Sequence, residues 1–194
     1  MISIEQVKEL RDKTGISIMQ CRKALEDAGG DMEKAIVMLR KKGAEIAEKK
    51  SDRALGAGII GSYVHSTGTT GAMLELWCET DFVSKNEDFK TLARDIAMQV
   101  VASNPEFVDS AQIPADAREK AKEVFQKEVE GKPENMKEQI LSGKIEAYFK
   151  DKVLMDQPFI KNPDLTVTQM LQNATQKFGE KVQIGRFVRF TTIQ

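Results

Sequence analysis

Histidine occurs once, at position 65, and cysteine twice, at positions 21 and 78, in a chain of 194 residues. A single histidine excludes a histidine-based metal cage, and Cys21 and Cys78 carry no metal-like spacing, so they read as reduced core thiols rather than as a disulfide. No nucleophile motif or third orienting group accompanies His65. Aromatic residues are 6% of the chain, which leaves few platforms for stacking bases. Neither sign of charge dominates: charged residues make up 30% and sum to −1, so no overall field favours polyanions and direct nucleic-acid binding is not expected. No apolar run approaches the roughly 20 residues of a membrane span, and the N-terminus lacks the basic-then-apolar layout of a signal peptide. A soluble cytoplasmic protein without membrane contact is the expectation.

A Gly-x-x-x-x-Gly-Lys-Ser/Thr loop is also missing, so the chain has no motif of its own for cradling a nucleotide and no cofactor is expected. Gly56-Ala57-Gly58-Ile59-Ile60-Gly61 satisfies the dinucleotide fingerprint as a bare string. That fingerprint works only between a strand and a helix, whereas here a charged helical tail precedes it and a strand pattern follows. Glycines at a domain boundary and hairpin entry are the simpler reading.

The length suits one small and one larger domain. Residues 1–43 read as three short helices: Ser3-x-x-Gln6 and Ser17-x-x-Gln20 form capping boxes, Asp31 caps the third helix, and Gly15, Gly29-Gly30 and Gly43 supply stops. Ile4, Val7 and Leu10 make one apolar stripe, Ile18, Cys21, Leu25 and Ala28 a second, and Met32, Ala35, Ile36 and Leu39 a third. Three amphipathic helices this short must pack on each other. Met19 falls on the polar face with Arg22, Lys23 and Glu26, either as a single exposed methionine or as a partner anchor beside Lys8 and Arg11. Residues 44–57 read as a charged helical tail and linker, its lysines a solvated face diluted by interleaved acids.

The larger domain spans 58–194. Ile59 to His65 and Ala72 to Cys78 form a β-hairpin, and Phe89, Leu92-Ala93, Ile96-Ala97 and Val100-Val101 repeat at helical spacing up to Pro105. Charge-rich helices over about 115–152, separated by Gly131-Lys132-Pro133, form an antiparallel pair or a solvated helical arm. Their apolar positions are Val124, Phe125, Val129, Met136, Ile140, Ile145 and Phe149. Thr166-x-x-Gln169 caps a helix that ends at Gly179, and Val182 to Ile193 alternates as a strand with Ile184, Phe187 or Val188, and Phe190 available for the core. Strands near both ends of the domain can pair in one antiparallel sheet with helices on one face, which makes α+β the fold class.

Between the hairpin and the following helix, Ser84-x-x-Glu87 reads as a capping box, which leaves Thr80, Asp81, Phe82 and Val83 to form a corner at the surface. A large apolar ring there has two readings: it folds back under its own domain as a staple, or it is held out for a partner.

Thr80-Asp81-Phe82-Val83, preceded by the strand containing Cys78, resembles the signature of the elongation factor Ts family, the nucleotide exchange factors of elongation factor Tu. The N-terminal run Val7-Lys8-Glu9-Leu10-Arg11 with Thr14-Gly15, Met19, Cys21 and Ala24-Leu25 is similar to that family's opening domain. Asp95-Ile96-Ala97-Met98-Gln99-Val100, Asn104-Pro105-Glu106-Phe107, Gln157-Pro158-Phe159 and Arg186-Phe187-Val188-Arg189-Phe190 match it in order. The resemblance implies a partner, elongation factor Tu, first GDP-bound and then nucleotide-free, and no bond chemistry in this chain. It implies that Phe82 wedges between helices of the partner's nucleotide domain while Asp81 perturbs the neighbourhood of its Mg²⁺. Thr80 then shapes the corner and Val83 anchors it. Lys8, Arg11, Ile18 and Met19 fall on positions that dock the N-terminal module; family members often carry two methionines where this chain has Ile18-Met19.

Longer members have two related core halves, and this chain passes from the corner directly into a helix similar to their second half. A single half leaves a sheet face or edge uncovered, so a homodimer is expected. The alternative to an exchange factor is an RNA- or ribosome-associated protein using Lys8, Arg11, Lys41, Lys42, Lys49 and Lys50, with steeply salt-dependent binding. An enzyme built on the glycine string is a more distant third reading.

Overall fold

The structure, a computed structural model, describes residues 2–129 and 133–192. Its first helix, α1 (Ile4–Thr14), opens on a complete capping box: Ser3 Oγ accepts from the Gln6 amide at 3.1 Å, and Gln6 Oε1 accepts from the Ser3 amide at 2.9 Å. Gly15, at φ 70°, closes it in the left-handed region that only glycine enters freely. Helix α2 (Ile18–Asp27) is capped by Ser17, but the reciprocal half of the expected box is missing. Gln20 instead accepts from Gln176 Nε2, 156 residues away. Helix α3 (Met32–Lys49) starts at Asp31 as expected. It does not stop at Gly43: the glycine is a buried interior position, and a Cβ there would lie 3.2 Å from Gln176 Oε1, so its smallness serves packing rather than termination.

Val7, Leu10, Ile16, Cys21, Leu25, Ala35 and Leu39 form the core of these three helices. Ile4 and Ile18, assigned to the packed stripes by periodicity, are exposed. Both are the first residue of their helix, where the chain projects beyond the partner that the next turn packs on.

Strands β1 (Ala57–Val64) and β2 (Thr70–Cys78) form the hairpin, followed by a single helical turn, α4 (Asp81–Ser84), and the long helix α5 (Glu87–Ser103). The expected capping box at Ser84 and Glu87 is not formed. Asn86 Oδ1 accepts from the Asp88 amide at 2.8 Å and caps α5, while Ser84 Oγ donates to the Asp81 carbonyl within α4. Helices α6 (Ala115–Val129) and α7 (Glu134–Lys150) lie antiparallel, as the 2.6 Å Lys144–Glu128 pair and the Phe125–Tyr148 ring contact at 5.7 Å require. Gly131 and Lys132 of the expected link lie outside the described residues. A small core of Ile113, Ala121, Phe149 and Val153 holds this arm, whereas Val124 and Met136, counted among its apolar positions, are exposed.

After a short β3 (Pro158–Phe159) and β4 (Asn162–Thr166) pair, Thr166 and Gln169 form the expected capping box of α8 (Val167–Phe178), which Gly179 closes at φ 69°. Strand β5 (Gln183–Thr191) returns to β2, giving one antiparallel sheet in the order β1-β2-β5. Ile193 of the expected strand lies outside the described residues. The fold is α+β. Leu74, Leu76, Cys78, Phe89, Ile96 and Val100 lie in the main core between the sheet and α5.

The glycine string serves close packing. Residues 57–64 are strand, and a Cβ on Gly61 would lie 2.7 Å from Ala93 of α5, while one on Gly58 would lie 2.7 Å from the Leu76 carbonyl. These glycines let α5 and β2 approach the β1 backbone.

Candidate functional site: an apolar corner braced from two sides

The end of β2 is fixed by burial. Cys78 lies in the core and its thiol donates to the Thr80 carbonyl at 3.2 Å; desolvation pushes that thiol up from its ordinary pKa. Three residues later the chain enters α4, a turn too short to be stable by itself. Its orientation is set from its ends. On one side Val83, 4% exposed, and Ser84 are buried against the core.

On the other side stands Glu180, from the turn between α8 and β5. Its Oε2 accepts from the amides of Glu79 and Thr80 at 3.1 and 3.0 Å, and its Oε1 accepts from the Thr80 hydroxyl at 2.6 Å. Thr80, the N-cap of α4, therefore makes no capping bond to its own helix. Glu79 reaches back the other way: its Oε1 accepts from the Lys181 amide at 2.6 Å and its carboxylate pairs with Arg53 at 3.1 Å. Those two partners, the Lys181 amide first, hold the Glu79 pKa below the usual carboxylate value.

Between these braces Phe82 is 81% exposed. The ring does not fold back under its own domain and does not staple α5. Asp81 beside it pairs with Lys85 at 2.6 Å across one turn, and that ammonium keeps the exposed carboxylate ionised below its ordinary pKa. Thr80, Asp81, Phe82 and Val83 thus form one local unit in which the apolar ring is outward, the carboxylate is beside it and the valine points in.

Met19, 82% exposed, and Ile18 form a second apolar exposure, on α2. Lys8 and Arg11 are exposed on α1. The three N-terminal helices are fastened to the rest of the fold by Arg40 of α3, which donates to the Asp164 carbonyl of β4 at 2.8 Å, by Lys50 after α3, which donates to the Gly179 carbonyl at 2.7 Å, and by Asn173 of α8, which donates to the Thr14 carbonyl of α1 at 3.3 Å. Lys50, one of the cations an RNA-binding reading would use, is committed to that contact.

The outer face of the sheet is a third surface. Register places Val64, Gly71 and Phe190 in one row, Ser62, Met73 and Val188 in the next, and then Ile60 beside Glu75. Ile60, Val64, Met73, Trp77, Val188 and Phe190 are all exposed, so Phe190 belongs to this face and not to the core. A β-bulge in the β2–β5 pairing opposite Leu74–Leu76 breaks the alternation of β5, so that Ile184 and Phe187, three residues apart, both face the core while Val188 and Phe190 follow as one out-facing set.

Among the described residues no group of three or more histidine, cysteine, aspartate or glutamate side chains gathers in a metal-holding arrangement, and no helix is long and apolar enough to cross a membrane. His65 sits exposed in the hairpin turn, its Nδ1 2.9 Å from Thr67 Oγ1. The Asp81–Lys85 pair follows from i,i+4 spacing on a helix. Glu180 carries no such local signal, because its contact with Thr80 spans 100 residues of sequence.

A sequence profile described as Elongation factor TS matches residues 21–193. Elongation factor Ts of Desulforamulus reducens is 50% identical over 97% of this chain and 88% of its own length, and that of Thermodesulfovibrio yellowstonii 48% identical over 97% and 95%. Elongation factor Ts of Heliobacterium modesticaldum is 47% identical over 98% of this chain and 89% of its own.

Proposed function

The chain belongs to the elongation factor Ts family of translation elongation factors, and from that premise we propose that it binds elongation factor Tu in its GDP form and accelerates GDP release through Asp81 and Phe82. The observation that carries this reading is the exposed Phe82 ring on a turn anchored by Val83 and Glu180. A GTPase holds Mg²⁺ between a loop hydroxyl and the phosphates, where the ion offsets charge that the loop alone does not. Disturbing that arrangement needs no bond chemistry. A phenylalanine ring moved from water into a groove between the partner's helices supplies about 1.5–3 kcal/mol. An ionised Asp81 arrives with it, held in water by a single exposed ion pair of the kind worth about 0–1 kcal/mol, which the partner can displace. Ile18 and Met19, flanked by Lys8 and Arg11, dock the helical module on the nucleotide-binding domain. The nucleotide site belongs to the partner.

Coupling of this kind is reciprocal: if the factor weakens GDP binding, nucleotide weakens factor binding by the same ratio. Incoming GTP then releases the factor. The test is release of a fluorescent GDP analogue from elongation factor Tu after mixing with this protein and excess unlabelled GDP. The rate should rise with factor concentration and saturate; a rate unaffected by the factor overturns the proposal.

The apolar outer face of the β1-β2-β5 sheet supports a homodimer, in which a second copy covers Met73, Val188 and Phe190 by the same surface. Light scattering should give twice the chain mass of 21.7 kDa, and Phe190→Asp should halve it. A wild-type protein of single-chain mass at working concentration refutes the dimer.

A further inference from the structure

Helix α4 has four residues, and its most important side chain contributes nothing to holding it, since Phe82 lies in solvent. A one-turn helix cannot aim a ring unless both of its ends are fixed. The C-terminal end is fixed by burial of Val83 and Ser84. The N-terminal end is fixed by one carboxylate, which takes three hydrogen bonds from two consecutive residues.

We propose that Glu180 is the positioning residue of the exchange corner, holding the Glu79–Thr80 segment so that Phe82 and Asp81 meet the partner already oriented. The inference rests on the reading of that corner as the exchange element and names the group that makes it work. Placement matters because a ring that must first be oriented spends part of its burial energy on ordering, and displacements of about 1 Å at such contacts lower rates by up to about 100-fold.

The same turn reaches the segment that leaves α3. Lys181 Nζ donates to the Ser51 carbonyl at 2.6 Å and to that of Arg53 at 3.3 Å; Lys50 donates to the Gly179 carbonyl; and Arg53 pairs with Glu79. Residues 179–181 therefore contact both the exit of α3 and the root of the corner. The clamp fixes the wedge relative to the end of α3, the helix on which α2 with Met19 packs, so both can engage one partner without rearrangement.

Two variants separate shape from charge. Glu180→Gln keeps the length, lets its carbonyl oxygen accept from the Glu79 and Thr80 amides, and lets its amide donate to the Thr80 hydroxyl. Glu180→Asp keeps the charge but withdraws it by one methylene. With fluorescent GDP bound to elongation factor Tu, Glu180→Gln should retain the maximal release rate to within about twofold. Glu180→Asp should lower that rate about tenfold at an unchanged half-saturating concentration, with faster amide hydrogen exchange over residues 79–84 in the free protein. The reverse pattern, both variants at the wild-type rate, or both equally impaired overturns the inference. Phe82→Ala measured alongside separates the two levels of argument. If it releases GDP at the wild-type rate, the reading of the corner itself has failed; if it is impaired while Glu180→Asp is not, only the positioning role has failed.

Discussion

Phe82→Ala and Val83→Ala are adjacent truncations for which the structure requires opposite consequences. Phe82 is 81% exposed, so removing its ring takes away almost no contact within the protein, and such surface substitutions stay within about 0.5 kcal/mol of wild type. For a chain of this size that is a thermal-midpoint change of at most about 2 °C. On the proposed reading the ring is buried in the complex, so its loss there removes about 1.5–3 kcal/mol, or roughly a 10- to 150-fold fall in stimulated GDP release per unit of factor concentration. Val83 is 4% exposed and packs in the main core, so deleting two methyl groups costs about 2–3 kcal/mol from transfer and cavity together. Its midpoint should fall by roughly 5–10 °C. Circular-dichroism melts and stopped-flow release of fluorescent GDP, run on the same preparations, read both quantities. A Phe82→Ala protein that melts several degrees early would mean that the ring serves its own fold. One that melts normally and still releases GDP at the wild-type rate would remove the wedge from the mechanism.

The two buried glycines predict opposite signs for one chemical change. A Cβ on Gly61 would lie 2.7 Å from the Cβ and carbonyl oxygen of Ala93, so Gly61→Ala must push α5 off the sheet at a cost of about 1–3 kcal/mol, read as a lower urea midpoint. Gly43→Ala is crowded by the end of the Gln176 side chain at 3.2 Å, with Asn173 Oδ1 and the Gln172 carbonyl at an ordinary 3.7 Å, while gaining up to about 1 kcal/mol of helix propensity, so its midpoint should equal or exceed that of wild type; equal losses at both sites would contradict the packing described. Acid should loosen the corner's root. The Lys181 amide and Arg53 hold the Glu79 pKa below its unfolded value, so its contribution is complete above the ordinary carboxylate range and is lost as pH falls through the depressed folded value. Thermal midpoints of wild type and Glu79→Gln should therefore converge on acidification, and parallel curves would exclude the contribution.

What the sequence made legible was local. Ser3 with Gln6, Asp31, and Thr166 with Gln169 act over three residues, and each cap forms where the pattern places it. Failures arise where a local signal meets a competitor or a distant neighbour. Asn86 outcompetes Ser84 for the start of α5, and only the placement of the buried Ser84 hydroxyl, turned to the Asp81 carbonyl, reveals why. Gly43 resembles a stop but serves contact with α8. Periodicity identified the faces of α1 and α2 but not how far Ile4 and Ile18 extend past their partners. The corner was legible as a unit, and the exposure of Phe82 was undecided from spacing alone. Glu180 left no trace, because nothing near it in sequence demands a carboxylate.

The two kinds of exposed apolar surface differ in a way that bears on when each is covered. Phe82 stands alone, with Asp81, Lys85 and Glu87 around it in sequence and all exposed, so a solitary ring among charges gives other proteins little to adhere to. Its desolvation is worth a few kcal/mol at most, which on the proposed reading suits a contact that forms and dissolves in each cycle of exchange. The sheet face joins Ile60, Val64, Met73, Trp77, Val188 and Phe190 across three neighbouring strands, and its one internal ion pair, Glu75 with Arg186 at 2.6 Å, is already satisfied within the face. Burial of that many large side chains at about 25 cal/mol per Å² favours permanent cover over a transient partner. On the proposed reading the second copy therefore stays in place through the cycle while elongation factor Tu comes and goes, and the exchange rate per chain should not depend on factor concentration beyond saturation of the partner.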